Sequence, residues 1–250
     1  MARRRFFVPE VRRGNAELTG LDAEHLVRVL RAEPGQIYEI SDNLDVYLAE
    51  IETAHKSAVT FRLLEKLDPP VATVQVILLP ALIKFDRLEW LIEKATELDV
   101  FAIQPFEAAR SERGLAQAAA KRLSRWEKIA LEASQQSRRA HLPRIEPPVR
   151  FTQAVQTQTN LKLLLDEADA APPILERFPP TRLAVDRVAM LLGPEGGWTD
   201  NERKQAIEAG WLPCGLSHTI LRAETAGIAA LAIVRAAWAR GGDKKDVKVQ

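Results

Sequence analysis

Apolar and polar residues alternate in short runs through the N-terminal part of the chain, a pattern that predicts β-strands. Three such runs, 36–40, 46–51 and 58–63, are separated by turn residues. One helical patch, 22–30, precedes the Pro34-Gly35 turn. Short strands joined by tight turns predict a small antiparallel β-barrel.

The pattern changes after Asp68-Pro69-Pro70, where two prolines fix φ and remove backbone donors. Strands are then predicted at 74–79, 101–103, 161–165 and 188–192, and most of their residues are apolar. Continuously apolar strands that alternate with helices predict an α/β domain around a mostly parallel sheet. We therefore expect a first domain over residues 1–70, a second over 71–242, and a flexible tail over 243–250.

Helical spacing of apolar residues predicts the helices between these strands. Asp86 stands three residues before Glu89 in an arrangement that predicts a helix cap, and a second helix has Trp126 on its apolar face. The last helix, 223–239, is apolar around its whole circumference. We expect such a helix to be buried in the core or against a second subunit, with Trp238 as an outward-facing position on it.

Charge is distributed unevenly although the net charge is only +1. Residues 1–31 contain seven arginines against four acidic side chains, and residues 110–144 contain nine Lys or Arg against three Glu. Two basic segments on a nearly neutral protein are typical of a surface that contacts phosphates. The alternative is a solvated helix face rich in arginine.

Other features narrow the class of protein. No apolar run approaches the roughly 18 residues of a membrane helix, and the basic start of the chain lacks the apolar stretch of a signal peptide. The single cysteine, Cys214, fits a reducing compartment, and the four histidines are scattered without the spacing of metal ligands. We expect a soluble cytoplasmic protein without a metal site.

A glycine-rich loop, Gly193-Pro194-Glu195-Gly196-Gly197, follows the predicted strand 188–192, and Thr199 with Glu202 forms a capping box for the next helix. Ligands of open α/β sheets bind beyond the carboxyl ends of the strands, where glycines allow close backbone approach. The spacing differs from G-x-G-x-x-G and from G-x-x-x-x-G-K-[ST], which disfavours dinucleotide dehydrogenases and nucleoside triphosphatases. The alternative is a tight turn without a ligand.

A second motif, 216–226, leads into the last helix with Arg222 and Glu224 near its start. An acidic side chain is favoured there by the helix dipole. Read alone, this motif also fits a capped core helix with a structural Arg–Glu pair.

Together the two motifs resemble the bacterial small-subunit ribosomal RNA uridine-N3 methyltransferases, the RsmE type of the SPOUT trefoil-knot superfamily. That family has a G-P-E-G-G loop followed some twenty residues later by L-R-T-E-T before the last helix. The resemblance covers nearly the whole chain. It includes the segments Phe6-Phe7-Val8, His25 to Arg31 before Pro34-Gly35-Gln36, Glu93 to Leu98, Ser111-Glu112-Arg113 and Trp126 to Ala130.

The resemblance implies a knotted SPOUT domain behind a small PUA-like β-barrel, with S-adenosylmethionine as cofactor, 16S ribosomal RNA of the small subunit as substrate, and a homodimer. It implies that Arg222 stabilises the uracil anion and that Glu224 orients Arg222. The predicted cofactor-binding residues are Leu165, Leu192, Gly193, Glu195, Gly196, Gly197, Leu216, Ile220, Leu221, Thr225 and Ala226. The predicted RNA-binding residues are Arg3, Arg4, Arg5, Arg28, Arg31, Arg110, Arg113, Arg138 and Arg139.

Several positions depart from the family pattern. Ala223 replaces the first Thr of L-R-T-E-T, Ser217 and Thr219 replace a glycine and an arginine, and Asp99 and Arg138 replace glycines. These departures leave the glycine loop intact and touch the predicted RNA-binding face. Two rival functions stay open: a non-catalytic ribosome-assembly factor that binds RNA, and a SPOUT methyltransferase that acts on another nucleotide of ribosomal or transfer RNA.

Overall fold

The structure, a computed structural model, describes residues 4–68, 73–168 and 171–241. Arg3, the proline pair Pro69-Pro70 and the predicted tail 243–250 lie outside the described residues. The chain divides into two units. One contains the described residues up to 68 together with Leu131–Leu142, and the other contains 73–130 and the described residues from Pro143 onward.

The first unit is built on a six-stranded sheet with strand order β1-β4-β5-β6-β3-β2. Strands β1 and β4 are parallel, and the remaining neighbours are antiparallel. Its elements are β1 (Arg5–Phe7), β2 (Val11–Arg12), β3 (Asn15–Thr19), α1 (Gly20–Arg28), β4 (Ile37–Ser41), β5 (Val46–Ala54) and β6 (Ala58–Lys66). The predicted strands and helix are all present, with bounds shifted by up to three residues.

Alternating burial along these strands explains how the sheet covers a core. In β3, Ala16 and Leu18 are buried whereas their neighbours are exposed. Their side chains join Phe6, Leu26 and Phe61 in one apolar cluster. Irregular register between β5 and β6 adds local twist to the long hairpin.

The second unit is built on a six-stranded sheet with strand order β10-β8-β7-β13-β12-β14, and every neighbouring pair is parallel. This confirms the predicted α/β class with a mostly parallel sheet. The elements are β7 (Gln75–Pro80), α2 (Phe85–Glu97), β8 (Ala102–Ile103), β9 (Phe106–Glu107), α3 (Leu115–Ala119), the 3-10 turn Ala120–Arg122, α4 (Leu123–Ser137), β10 (Arg144–Ile145), β11 (Val149–Arg150), α5 (Phe151–Ala154), β12 (Leu161–Leu165), the 3-10 turn Ile174–Arg177, β13 (Arg187–Leu192), α6 (Asp200–Glu208), β14 (Leu212–Cys214) and α7 (Ala223–Gly241).

The carboxyl ends of four strands meet in one row at the edge of this sheet. Leu165 is opposite both Leu192 and Cys214, and Leu192 is opposite Pro80. The loops that leave β12, β13 and β14 therefore begin side by side. In open parallel sheets, this edge is where ligands bind.

Helix α2 begins without the cap that the sequence predicts. Its N-cap residue is Lys84, which makes no side-chain cap. The Glu89 carboxylate instead accepts hydrogen bonds from Arg122 and Arg125. The capping prediction for Asp86 and Glu89 was wrong because the Glu89 carboxylate is bound by these two arginines. By contrast, the capping box of Thr199 and Glu202 is confirmed.

Helix α7 packs against α2 and the sheet through a glycine. A Cβ at Gly227 would overlap the side chain of Leu192 and lie 3.0 Å from Cδ1 of Leu91. The last helix can therefore approach the end of β13 closely. This contact holds the start of α7 at the carboxyl edge of the sheet.

The prediction that Trp238 faces outward was wrong. Its side chain is only 7% exposed, its Nε1 donates to Asp186 Oδ2 at 2.9 Å, and its ring meets that of Phe178 edge-on. The indole is buried within its own unit because it has both a polar and an aromatic partner there. The accessible side of α7 instead carries small and branched residues: Thr225, Ile228, Ala229, Ala232 and Ala236.

The segment Leu131–Leu142, at the end of α4 and beyond it, belongs to the first unit. The buried carboxylate of Glu39 accepts hydrogen bonds from Arg5, at 2.8 Å, and from Arg138. Ser41 Oγ donates to the carbonyl of Ala140 at 2.7 Å. Arg138 has a φ of 56°, a conformation in which glycine is unstrained. The ion pair between Arg138 and Glu39 offsets part of that strain.

Candidate active site

A cavity of about 260 Å³ lies at the carboxyl edge of the parallel sheet, near the lower end of the range for small-molecule sites. The loops that follow β12, β13 and β14 line it, and the start of α7 and Arg87 of α2 complete it. Its apolar lining includes Leu165, Leu192, Leu216 and Leu221. A formed cavity therefore lies at the carboxyl edge of the sheet, where the sequence predicts ligand binding.

The glycine-rich loop after β13 forms one side of this cavity. Gly197 has a φ of 70°, in the left-handed region that favours glycine. A Cβ on Gly197 would lie 2.8 Å from Glu167 Oε1. The backbone of the loop thus comes close to the loop that follows β12.

Side-chain hydrogen bonds and ring stacking hold this loop in place. Trp198 Nε1 donates to the carbonyl of Leu165 at 2.8 Å, and the indole stacks on Phe106. Arg203 of α6 binds both carboxylate oxygens of Asp166 at 2.8 and 3.0 Å and donates to the carbonyl of Trp198 at 3.1 Å. These hydrogen bonds tie the loop after β13 to the loop after β12.

Gly196 lies on the outer side of the loop. It is absent from the cavity lining, and a Cβ there would meet the Cβ of Arg110 at 3.2 Å. Arg110 donates from Nη1 to the carbonyl of Gly196 at 2.8 Å. The space for a side chain at Gly196 is therefore limited by Arg110. The guanidinium of Arg110, which the sequence predicts to bind RNA, has a partner within the glycine-rich loop.

The loop between β14 and α7 forms the opposite side. Ser217 Oγ and Thr219 Oγ1 are 2.9 Å apart, and the amide of Thr219 donates to Ser217 Oγ. Ile220 is 82% exposed although it lines the cavity. Arg222 also lines the cavity and is exposed to solvent.

Glu224 lies in the first turn of α7 and is only 5% exposed. Among the described residues, its Oε2 atom has no hydrogen-bond partner. No ion pair joins Glu224 to Arg222 within the part of the chain that the structure describes, so neither a structural pair nor a direct orienting contact is present. The favourable position of Glu224 at the helix start is the one that the dipole predicts.

Paired charges surround the cavity. Glu195 forms an ion pair with Arg87, and Asp166 with Arg203. Burial raises the pKa of the Cys214 thiol to about 12, so this cysteine is a neutral, apolar part of the wall and no nucleophile. The cavity has the chemistry of a binding site for an organic molecule.

Most of the predicted cofactor-binding residues lie together at this cavity. Those that line it are Leu165, Leu192, Gly193, Glu195, Gly197, Leu216, Ile220, Leu221 and Ala226, with Arg222 of the predicted catalytic pair. Gly196, Thr225 and Glu224 are not part of the lining. Sequence reasoning missed Arg87, Asp166, Glu167 and Trp198; the position of Asp166 and Glu167 directly after a buried strand was the available signal.

The predicted RNA-binding arginines differ in exposure and in their intramolecular partners. Those exposed to solvent are Arg4, Arg28, Arg31, Arg110, Arg113 and Arg138. Arg5 is largely buried against Glu39, which gives it an intramolecular partner. Arg138 shares that partner, and Arg139 donates from Nε to the carbonyl of His141 at 3.0 Å.

Two kinds of feature are absent from the described residues. No helix there is long and apolar enough to span a bilayer. No group of three or more metal-ligating side chains is found in the same ranges.

Comparison with known proteins gives the class first. Residues 70–235 match the family model of the RNA methyltransferase domain. This range contains all the loops that line the cavity.

Several named proteins are similar to this chain over most of their length. Ribosomal RNA small subunit methyltransferase E of Bacillus subtilis is 33% identical over 225 residues, which cover 87% of this chain and 88% of the relative. The crystal structure of the protein of that name from Neisseria gonorrhoeae, bound to S-adenosyl methionine, has a TM-score of 0.84 at 29% identity and covers 95% of this chain and 98% of its own. A putative methyltransferase from Legionella pneumophila, solved in complex with the same cofactor, has a TM-score of 0.85 at 28% identity, with coverage of 95% and 98%.

The chain belongs to the family of ribosomal RNA small subunit methyltransferase E proteins.

Proposed function

We propose that this protein transfers the methyl group of S-adenosylmethionine to N3 of a uridine in 16S ribosomal RNA of the small subunit. The observation that carries the proposal is the cavity formed by three loops at the carboxyl edge of the parallel sheet, with its intact glycine-rich loop. A non-catalytic RNA-binding factor has no use for such a cavity. The solved relatives that bind S-adenosylmethionine support the choice of cofactor.

The residues present fit this cofactor. Leu192, Leu216 and Leu221 provide an apolar wall for an adenine ring, and Gly197 leaves space that a side chain would fill. The backbone around Gly193, Glu195, Leu216, Ile220 and Leu221 would hold the cofactor, and Ala226 leaves room beside it. When bound, S-adenosylmethionine supplies an electrophilic methyl group on a sulfonium.

Methylation of uracil N3 requires loss of the imide proton, and the protein must favour the resulting anion. Arg222 is the candidate for that task because its guanidinium is exposed and lines the cavity. No ion pair joins the side chains of Glu224 and Arg222 in the described ranges. Glu224 would therefore position Arg222 indirectly, through the backbone of the first turn of α7.

RNA contact is assigned to exposed arginines of both units. We infer that residues 1–70 form a PUA-like barrel that binds RNA and that 71–242 form the catalytic domain with the trefoil knot of the SPOUT superfamily. The six-stranded curved sheet of the first unit and the wholly parallel sheet of the second support this assignment. A cytoplasmic location follows from the ribosomal substrate.

The accessible side of α7 supports a homodimer. Thr225, Ala229, Ala232 and Ala236 leave a smooth strip along the helix, and Ile228 adds a branched apolar side chain. A helix face of small residues allows the backbone of a partner to come close. We infer that two copies meet across this strip.

Transfer of a labelled methyl group tests the proposal. The purified protein, given S-adenosylmethionine with a tritiated methyl group, should label 16S ribosomal RNA in small subunits taken from a strain that lacks this methyltransferase. Arg222→Gln should lower kcat about 100-fold and leave cofactor affinity unchanged, because one stabilising charge at the reacting base is removed.

Lys204→Gln, which removes an exposed cation from α6, is the matched control and should keep full activity. Failure to label any RNA would support the non-catalytic factor. Transfer RNA is offered in a parallel reaction, and label confined to it would support the other acceptor.

A further inference from the structure

Three carboxylates line the cavity, and two of them are already bound by arginines. Asp166 is bound by Arg203 at 2.8 Å, and Glu195 is bound by Arg87. Glu167 has no ion pair or hydrogen bond to any side chain or amide in the described ranges. Arg203 interacts with it only through space, because the hydrogen bonds of that guanidinium go to Asp166 and a backbone carbonyl. Among the described residues, Glu167 is therefore the one lining carboxylate that no cation binds directly.

Glu167 is nevertheless directed toward the cavity by its surroundings. It directly follows Asp166, whose Oδ1 accepts from the amide of Ala168 at 3.2 Å and whose carboxylate is fixed by Arg203. The Glu167 Oε1 atom lies 2.8 Å from the position that a Cβ on Gly197 would occupy. The absence of a side chain at Gly197 is thus what leaves room for this carboxylate beside the glycine-rich loop.

Glu167 is exposed to solvent, so water solvates its carboxylate in the free protein, and its place at the edge of the cavity leaves it accessible to a cationic group of a bound ligand. The methionine part of S-adenosylmethionine carries two cations, the sulfonium and the α-ammonium, together with one carboxylate. On the opposite loop, Arg222 supplies a guanidinium that also lines the cavity. Because the proposed function assigns Arg222 to the uracil anion, Glu167 is the charged lining group that remains for the cofactor.

We propose that Glu167 is a cofactor-recognition residue whose carboxylate pairs with a cationic group of the methionine part of S-adenosylmethionine. This rests on the proposed function, since it assumes that cofactor. It assigns a role to a residue that lies outside both the glycine-rich loop and the motif before the last helix. Removal of the charge weakens the affinity for ligands that carry the cation and leaves neutral ligands unaffected.

Calorimetric titration of the full-length protein with three ligands tests this. S-adenosylmethionine has both cations, S-adenosylhomocysteine keeps only the ammonium, and 5′-methylthioadenosine has neither but retains the adenine and ribose. Glu167→Gln should lower the affinity for S-adenosylmethionine about fivefold at low ionic strength, with a smaller loss at high salt. Its affinity for 5′-methylthioadenosine should stay within about twofold of the wild-type value, an interval that allows for small context effects.

S-adenosylhomocysteine identifies the cation. An equal loss for this ligand assigns the ammonium, and no loss assigns the sulfonium; either result supports the proposal. An unchanged affinity for S-adenosylmethionine overturns it, and so does an equal loss for all three ligands, which would place Glu167 on the ribose or in a structural role.

Glu208→Gln, an exposed carboxylate on α6, is the matched control and should change none of the affinities. Thermal denaturation of Glu167→Gln should match the wild type because the side chain makes no direct internal pair. A wild-type protein that binds none of the ligands would contradict the proposed function itself. Wild-type binding with an unaltered Glu167→Gln variant would contradict this inference alone.

Discussion

Gly197 is subject to two constraints that the neighbouring Gly196 does not share. Its φ is 70°, and a Cβ would occupy the space beside Glu167 Oε1. We expect Gly197→Ala to lower the folding stability by about 1 kcal/mol, because an L side chain is strained at this φ. We also expect cofactor affinity to fall at least about tenfold, because displacement of the Glu167 carboxylate and of the loop backbone costs upwards of about 1.4 kcal/mol of binding free energy.

Titration calorimetry with S-adenosylmethionine and urea denaturation measure the two effects on Gly197→Ala separately. Gly215→Ala is the control, since its Cβ would meet nothing nearer than 3.4 Å. Normal cofactor affinity in a folded Gly197→Ala variant would show that the loop backbone takes no part in the site.

Exposed arginines without an internal partner provide the cleanest test of RNA binding. Arg113 is such a residue within the described ranges. Arg113→Glu should weaken RNA affinity and reduce the slope of log affinity against log salt by about 0.7 for each phosphate that is no longer neutralised. Filter binding at several salt concentrations measures both quantities. An unchanged slope would mean that Arg113 only covers a solvated surface.

Arg138 is unsuitable for the same purpose. A glutamate there would face the buried carboxylate of Glu39 and destabilise the first unit whatever its role in RNA binding. The sequence shows the positive charge of Arg138 and Arg5 but does not show their common partner, because Glu39 lies about a hundred positions from Arg138 along the chain.

At the scale of elements, α2 is joined to the start of α4 by one carboxylate. The hydrogen bond from Arg125, supported by that from Arg122, holds the pKa of Glu89 below its ordinary value, although burial opposes this. The Glu89 side chain is 12% exposed. Glu89→Gln should therefore cost about 1–3 kcal/mol of stability at pH 7, because two charge-assisted hydrogen bonds are weakened.

The pH dependence of this effect has a definite sign. A lowered pKa in the folded protein means that the contribution is present above the unfolded value of about 4.3 and disappears as the pH falls through the folded value. The difference between wild type and Glu89→Gln in urea denaturation should shrink below about pH 4.5, as Glu89 becomes protonated. A difference independent of pH would show that charge is not what joins the two helices.

Elements with a continuous apolar pattern could be predicted well from the sequence. The strand Leu161–Leu165 has the predicted bounds, and the capping box at Thr199 is present as expected. The start of α2 was wrong because spacing alone cannot show that Glu89 binds distant arginines. The assignment of Leu131–Leu142 to the first unit could not be predicted either, because its contacts lie across long sequence separations.

The residues of the candidate site that belong to sequence motifs could be predicted. Those that reach the cavity only through the folding of the chain could not be predicted. Gly193, Gly197 and Arg222 stand in motifs that the sequence displays. Arg87 and Glu167 reach the cavity only because parallel pairing brings the ends of separate strands to one edge. Trp238 was misplaced because an apolar helix does not reveal from its sequence which side the core covers.

At the scale of the whole molecule, the strip of small residues on α7 predicts self-association. Ala232 lies in the middle of the strip, and Ala232→Asp should convert a dimer into monomers and abolish methylation, because a charge at the centre of an apolar interface is costly. Light scattering of the wild type and the variant measures this. Ala184→Asp, on an exposed turn outside both basic segments, is the control and should stay dimeric, and a wild-type monomer with full activity would contradict the prediction.

Nucleoside mass spectrometry identifies the atom that receives the methyl group. Small subunits that lack the modification are incubated with the protein and S-adenosylmethionine, and the 16S ribosomal RNA is digested to nucleosides. We expect one new 3-methyluridine per RNA molecule, formed about 100-fold more slowly when Arg222→Gln replaces the wild type. A different methylated nucleoside, or a methyl group on a ribose, would contradict it.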